Sequence, residues 1–496
     1  METILSLRPL LAVAVSLVAT VFIVLSYRRP NVRETWTLAA AVVKFGLVFS
    51  MLPDVLAGHV PEVTLPPLAP GIALVLRADP FGLFFALVAS ALWIFTSIYS
   101  IGYVRGLSEH KQTRYFASFA VALSSTIGVA FAANLLTFIV FYEMLSIATY
   151  PLVVHKETPE AISAGRKYLA YTLSAGVALI FAAAWTYHLT GTLEFQPGGF
   201  LAGSASPGEL LALLALFVFG CGVKAGIMPL HSWLPTAMVA PTPVSGLLHA
   251  VAVVKAGVFG MLRIVGFVFG PALLEELGAW YALAIIAGAT LLLASLLAFR
   301  QDNLKRRLAY STIGHLSYII LGAALLTPYG WLGGVLHLVN HATLKITLFF
   351  CAGAIYVKTH RENVSELDGI GRQMPLTMGA FALASLGLAG VPPMNGFVSK
   401  WFLGMGALEA QQTVFLLLLL LSGLLNAGYL FPIVRRAFFE RSADFARFDE
   451  PSMLMVIPLV ITALLSLAMG FLPDGFGSFY HLATEIATSV VTGGSN

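Results

Sequence analysis

Charge is what this sequence has least of. Asp, Glu, Lys and Arg make up 10% of its 496 residues, where a soluble protein carries about 25%. Hydrophobic residues fill 58% and the mean hydropathy is +0.87, so a water-exposed globular chain is excluded and a polytopic membrane protein is expected. Cysteine is scarce too. Cys221 and Cys351 both fall inside apolar runs with no CxxC spacing, so nothing points to an iron–sulfur cluster, structural zinc or a disulfide framework. GxGxxG and phosphate-binding loops are missing, which leaves a nucleotide site unsupported. The expectation is a chain with no cofactor or metal and no redox chemistry of its own. The first apolar run lacks a basic leader and a small-residue cleavage site, so it reads as a retained helix. The net charge of +4 is no argument for a nucleic-acid partner.

What is present is a succession of apolar runs of about 20 residues, the length that crosses a bilayer. They are read near 4–26, 35–53, 80–103, 115–131, 133–154, 166–188, 209–227, 242–266, 277–299, 308–326, 330–356, 375–405, 413–434 and 453–472. The fold class is therefore all-α, with fourteen transmembrane helices. Basic residues cluster on loops of one parity: Arg28, Arg29 and Arg33 after span 1, Arg300 to Arg307 after span 9, Arg435 to Arg447 after span 13. Arg8, Arg77 and Arg263 stand on the other side. The positive-inside rule then puts both termini outside a cell membrane. The polar stretches 54–79, 189–208 and 435–452 read as short connectors, with no soluble domain. The chain divides into N-terminal helices (1–114), a core (115–435), and a C-terminal loop, last helix and short tail (436–496).

Two spans are interrupted. Span 7 runs through Lys224 into Pro229, Pro235, Pro241 and Pro243, and span 12 is cut at Gly390-Val391-Pro392-Pro393. Proline removes a backbone donor, and an unwound membrane segment persists only inside protein or beside water. Broken helices at matching positions of two halves mark inverted-repeat transporters. Spans 4–8 and 9–13 are accordingly read as two inverted five-helix repeats.

The ionisable residues inside the spans carry the functional reading, because each charge at bilayer depth costs about 2.5–3.5 kcal/mol on insertion scales. Glu143 lies mid-span in FYEMLSIATYPLV. An isolated buried carboxyl keeps its proton and ionises beside a cation, so Glu143 is a candidate gate, with Lys224 as its partner. His249 and Lys255 share span 8, too far apart for contact without water. His337, His341 and Lys345 recur every fourth residue of span 11, one helix face, and histidine carries protons at neutral pH. Lys400 follows the second break and would end the path. His231, Tyr310 and His315 are weaker candidates, and Lys44 lies outside both repeats and would snorkel or pair locally.

At these residues the chain resembles a known family. KAGIMPLHSWLPTAMVAPTPVSGLLHA (224–250), DNLKRRLAYSTIGHLSYI (302–319), HLVNHATLKITLFF (337–350) and GVPPMNGFVSKWFL (390–403) are similar to signatures of the antiporter-like subunits of NADH:quinone oxidoreductase, of membrane-bound hydrogenases and of Mrp-type sodium/proton antiporters. The resemblance implies fourteen helices, two inverted repeats, proton translocation, and a polar axis whose residues here are Glu143, Lys224, His249, Lys255, His337, His341 and Lys400. Lysine at position 400 and the short tail resemble the D-type Mrp subunit. The expected function is that of a proton-translocating subunit of a monovalent cation (sodium)/proton antiporter, working with other membrane subunits; the alternative is the pump arm of a redox-driven complex. Thr236 departs from the family pattern, which has aspartate in its WLP-D-A motif.

Overall fold

The computed structural model describes residues 2–67, 72–445, 447–475 and 477–493; the two chain ends, residues 1 and 494–496, fall outside these. The protein is overwhelmingly helical. Among the described residues, 11 helices are long and apolar enough to cross a membrane. Three further helical segments stand at spans read from the sequence: Gln112–Ala130, Leu304–Ala324, and the broken pair Pro375–Ala389 and Asn395–Glu409. The helices Thr242–Phe269 and Pro328–Thr359 have their whole apolar windows buried, whereas only 33% of Arg8–Leu25 and of Thr413–Phe439 is buried. The outer helices leave Val177, Phe181, Leu420 and Leu424 uncovered, the face a lipid-exposed helix presents. Inside, hydroxyls such as Ser90, Thr96, Thr126 and Thr149 bond back to the carbonyl four residues earlier, which satisfies a polar group without a partner helix.

Several expectations are corrected. The chain is not purely helical: Glu2–Leu5 pairs parallel with His59–Thr64, which pairs antiparallel with Val75–Arg77. The first membrane helix therefore starts at Arg8, and the 54–79 connector is partly a sheet. Pattern reading missed it because its strands are short and far apart in sequence. The tail holds a further helix, Phe479–Thr492. Arg33 is buried in the helix Pro30–Phe49 rather than in a loop, 3.6 Å from Glu34 and bonded to Gln112. Arg263 is fully buried, 2.7 Å from the Asp79 carboxylate and ringed by Phe81, Phe195, Phe259 and Phe267. Asp79 also caps the helix Pro80–Gly106 through the Gly82 amide.

Both breaks are present and alike. The helix Pro207–Ala225 ends at Gly226 with φ +69°, and Pro375–Ala389 ends at Gly390 with φ +89°; glycine takes this left-handed conformation without a Cβ clash. Each break contains a cis X–Pro bond, at Pro229 and Pro393. Other devices recur at one constant spacing along the chain. Asn134 and Asn303 cap the helices that follow them and form isolated bridges to Glu194 and Asn363. Leu135 donates to the Leu193 carbonyl as Leu304 does to that of Glu362. Thr158-Pro159 and Thr327-Pro328 open two helices of 32 residues each.

Candidate functional site

The buried helices bring most of the sequence-predicted residues together. Lys224 sits in the last turn of the first half-helix, where the C-terminal end of the helix dipole favours a cation. Its ammonium donates to the Tyr142 carbonyl and stands 3.3 Å from the centroid of the Tyr142 ring. Glu143 is the next residue along that neighbouring helix. Its carboxylate packs on Gly176 of the helix Pro159–Thr190, and Oε1 has no hydrogen-bond partner among the described residues. Glu143 and its candidate partner Lys224 interact electrostatically through space, with no charge pair within 4.0 Å between them among the described residues. Tyr142 turns its carbonyl and ring to the lysine, while its helix carries Glu143 toward Gly176.

His249 and Lys255 part company. The span carrying both is not a regular α-helix: Leu247–Val251 and Ile264–Phe269 are π-helical, with Val253–Arg263 between them, and such bulges concentrate at functional sites. His249 lies in the first bulge, fully buried beside the Phe349 ring, with neither ring nitrogen bonded among the described residues. Lys255 turns to span 11, its Nζ 2.9 Å from His341 Nδ1.

From Lys255 the polar contacts run on. The His341 ring stacks on His315 at 5.3 Å, His315 Nδ1 lies 3.0 Å from His337 Nε2, and His337 Nδ1 lies 2.8 Å from Ser399 Oγ. All three histidines are fully buried. Each ring offers two nitrogens that can exchange roles, which lets a proton enter on one face and leave on the other. His315, a weaker candidate in the sequence, is the link between the two histidines of span 11.

Lys345 leaves the histidine line and forms a second branch. Its ammonium donates to Ser311 Oγ at 2.6 Å; Tyr429 Oη lies 2.7 Å from Ser311 Oγ and 2.6 Å from Asn426 Oδ1. A phenol has one hydrogen. If Tyr429 donates to Asn426, then Ser311 donates to Tyr429 and Lys345 to Ser311, a chain of donors pointing one way. Asn426 Nδ2 reaches the Leu388 carbonyl at 3.3 Å, and Lys400 donates to that carbonyl at 2.6 Å and to Ala389 at 3.1 Å. Lys400 thus folds back onto the last carbonyls of the broken half-helix, which have no partner in the helix itself. Tyr429 and Asn426 escaped the sequence reading, because a tyrosine and an asparagine in an apolar span look like packing residues.

At the other break a cavity of about 710 Å³ opens among Glu160, Lys167, Ser232, Thr236, Arg306 and Tyr310. His231 lies beside it against the Tyr310 ring. Thr236, the departure from the family pattern, keeps a polar contact there by accepting from Lys167 Nζ at 3.2 Å. Lys44 is fully buried and donates to Ser16 at 2.5 Å under the Trp93 ring, so it does not snorkel.

A chain of apolar helices around a buried line of lysines and histidines is the class of membrane ion-translocating subunits. Residues 132–426 match the family described as NADH:quinone oxidoreductase/Mrp antiporter, TM, and the chain belongs to that family. It is 34% identical over 387 residues to NADH-quinone oxidoreductase subunit N of Desulforudis audaxviator, covering 76% of this chain and 73% of that one. It is 33% identical over 460 residues to the A/B component of a probable K(+)/H(+) antiporter of Rhizobium meliloti, and 34% over 345 residues to hydrogenase-4 component B of Escherichia coli. These matches cover 90% and 66% of this chain, but it spans only 45% and 50% of those two relatives. Its fold matches a chain of the Mrp complex of a Dietzia species, with a TM-score of 0.87, 20% identity and 99% coverage of each chain. A chain of a membrane-bound sulfane sulfur reductase, an archaeal respiratory membrane complex, matches with a TM-score of 0.88 and 25% identity, covering 98% of this chain and all of that one.

Proposed function

We propose that this chain is the proton-translocating subunit of a multi-subunit monovalent cation/proton antiporter, an Mrp D-type subunit exchanging protons for sodium. The observation that carries it is the buried run Lys255–His341–His315–His337–Ser399, five groups linked at ring-stacking or hydrogen-bond distance across four helical segments. Protons would enter by the cavity beside His231, load Lys224 under the influence of Glu143, cross to His249 and Lys255 over water, and follow the two branches to Lys400. The fourteen-span count, with both termini outside the cell membrane, rests on the helix positions and the basic loops. The division into 1–114, 115–435 and 436–496 and the two inverted repeats are supported by the recurring caps, bridges and broken helices. Partner proteins of the same membrane would complete the assembly, as in the complexes whose chains share this fold.

The second reading is a pump component of a redox-driven complex. It is favoured by the identity to one component of an NADH-quinone oxidoreductase and to one of a hydrogenase. One experiment tests both. The native assembly, purified under mild detergent with its partners identified, is reconstituted into vesicles, and proton flux is driven by a sodium gradient or by reductant. Sodium-driven flux lost in Glu143→Gln and Lys224→Ala supports the antiporter. Flux only with reductant and iron–sulfur partners supports the pump arm, and flux untouched by both substitutions overturns the proposed path.

A further inference from the structure

Outside the buried axis, the end of the Glu143 helix carries a group of side chains that none of the chemistry above uses. Glu109 and His110 follow the helix Pro80–Gly106, and His155 follows Leu135–Val153. One ligand atom from each of the three lies within 4.8 Å of the others. His155 is fully buried, neither ring nitrogen has a hydrogen-bond partner among the described residues, and Nε2 faces Glu109 Oε2 at 3.7 Å. The His110 ring stacks on it at 5.0 Å, and Tyr115 closes the site edge-on. A buried imidazole left unbonded is costly, and a ligand at this point would satisfy it.

We infer that Glu109, His110 and His155 form a binding site for a divalent transition-metal ion, with zinc as the best fit. Two imidazoles and one carboxylate are the donor set of three-ligand zinc sites, which leave the fourth position to water. Zinc bonds of about 2.0–2.1 Å hold tetrahedral ligands roughly 3.3 Å apart, so each donor need move only about 1 Å. Two neighbouring cations do not compete, because Glu157 takes both: Lys111 at 2.6 Å and Arg114 at 2.5 Å. Glu157 Oε2 also stands 3.8 Å from His110 Nε2, at the edge of the site. The ion would clamp the loop before Gln112–Ala130 to the end of the helix that carries Glu143, about 15 Å along the axis from that carboxylate.

The test uses the full chain, purified with an affinity tag that lacks histidine, stripped with chelator, and titrated with Zn²⁺ by calorimetry and with Co²⁺ by visible absorption. One ion per chain, with the intense bands of tetrahedral Co²⁺, is expected. Loss of an outer-shell partner already weakens metal sites about 10- to 100-fold, so His110→Ala and Glu109→Gln are expected to weaken binding at least about 10-fold. His110 is 45% exposed in its side chain, so its removal spares the fold. His481→Ala, on the distant Phe479–Thr492 helix, is expected to change nothing. A chain that binds no ion, or a His110→Ala chain that binds as tightly as the unaltered one, overturns the inference. Neither outcome depends on whether the protein transports protons.

Discussion

Gly176 sets where the Glu143 carboxylate sits, and replacing it separates position from presence. A Cβ at residue 176 would lie 2.5 Å from Glu143 Cδ and 2.6 and 2.8 Å from its two oxygens, whereas ordinary contact begins at 3.4 Å. The carboxylate must therefore retreat by about 1 Å, which the end of a flexible side chain can do. In stability the change is favourable, since alanine is better than glycine inside a helix by about 1 kcal/mol. In electrostatics it is not neutral. For unit charges about 5 Å apart in a medium of effective dielectric about 20, a 1 Å displacement changes the interaction by roughly 0.5 kcal/mol, a factor of about 2–3 in an equilibrium. Gly176→Ala is thus expected to melt no lower than the unaltered protein while its initial proton flux in vesicles changes about 2- to 3-fold. Glu143→Gln, which removes the charge altogether, is expected to abolish flux. Gly46→Ala is the control, because a Cβ there meets nothing within 4 Å, and it should leave flux alone. A Gly176→Ala protein with unchanged flux would refute the claim that the lysine senses the carboxylate's position. A large drop in melting temperature would refute the claim that only the carboxylate moves.

Lys255→Met removes a fully buried charge; flux should be lost while thermal stability holds or rises by about 1–3 kcal/mol, since apolar replacement of buried charge is often neutral or favourable. Tyr429→Phe deletes the one oxygen between Ser311 and Asn426. Severalfold slower flux with a stability loss of about 1 kcal/mol would assign traffic to the Lys345 branch, and unchanged flux would confine it to the histidines. Asp79→Ala strands the buried Arg263 and uncaps a helix; a loss of about 3–5 kcal/mol is expected in thermal or denaturant unfolding, and a loss under 1 kcal/mol would mean that the phenylalanine cage alone holds the guanidinium.

The sequence was legible where a physical rule leaves little choice. Helices of bilayer length had to be apolar, and prolines beside glycines had to end them, so the helix positions and both breaks could be read directly. The identities of the buried ionisable residues could be read as well, because a charge in an apolar span needs a reason. Their partners could not. Lys255 and His249 share a helix, yet the π-bulge that holds His249 breaks the regular helical phase between them, and the lysine meets His341, which no periodicity argument contains. The wiring through Ser399, Tyr429 and Asn426 depends on which helices touch, which is tertiary information. Glu109, His110 and His155 stayed invisible for the same reason, since their spacing matches no metal motif and only the fold closes the gap.

The balance of charge along the axis limits what this chain can carry. Lys224, Lys255, Lys345 and Lys400 face it, and Glu143 is the carboxylate set against them. Under the two proposed repeats, the spacing that relates Asn134 to Asn303 and Thr158 to Thr327 would set Thr312 in the position of Glu143, a hydroxyl where the first repeat has an acid. Four lysines with one counter-charge cannot all be ionised in a low-dielectric interior, because each unpaired charge raises the cost of the next. The contact between Lys255 and His341 makes this local: one N–H···N bond holds one proton in line, so the next cannot enter until the first has moved on. Under the proposed function such an axis would pass protons singly and favour hand-over from lysine to lysine. At its far end the carbonyls of Leu388 and Ala389 are already taken by Lys400, and hard cations need several oxygen ligands together. Under the proposed function the sodium half of the exchange therefore belongs to surfaces contributed by partner proteins, and the assembled complex rather than this chain is the unit whose exchange should be measured.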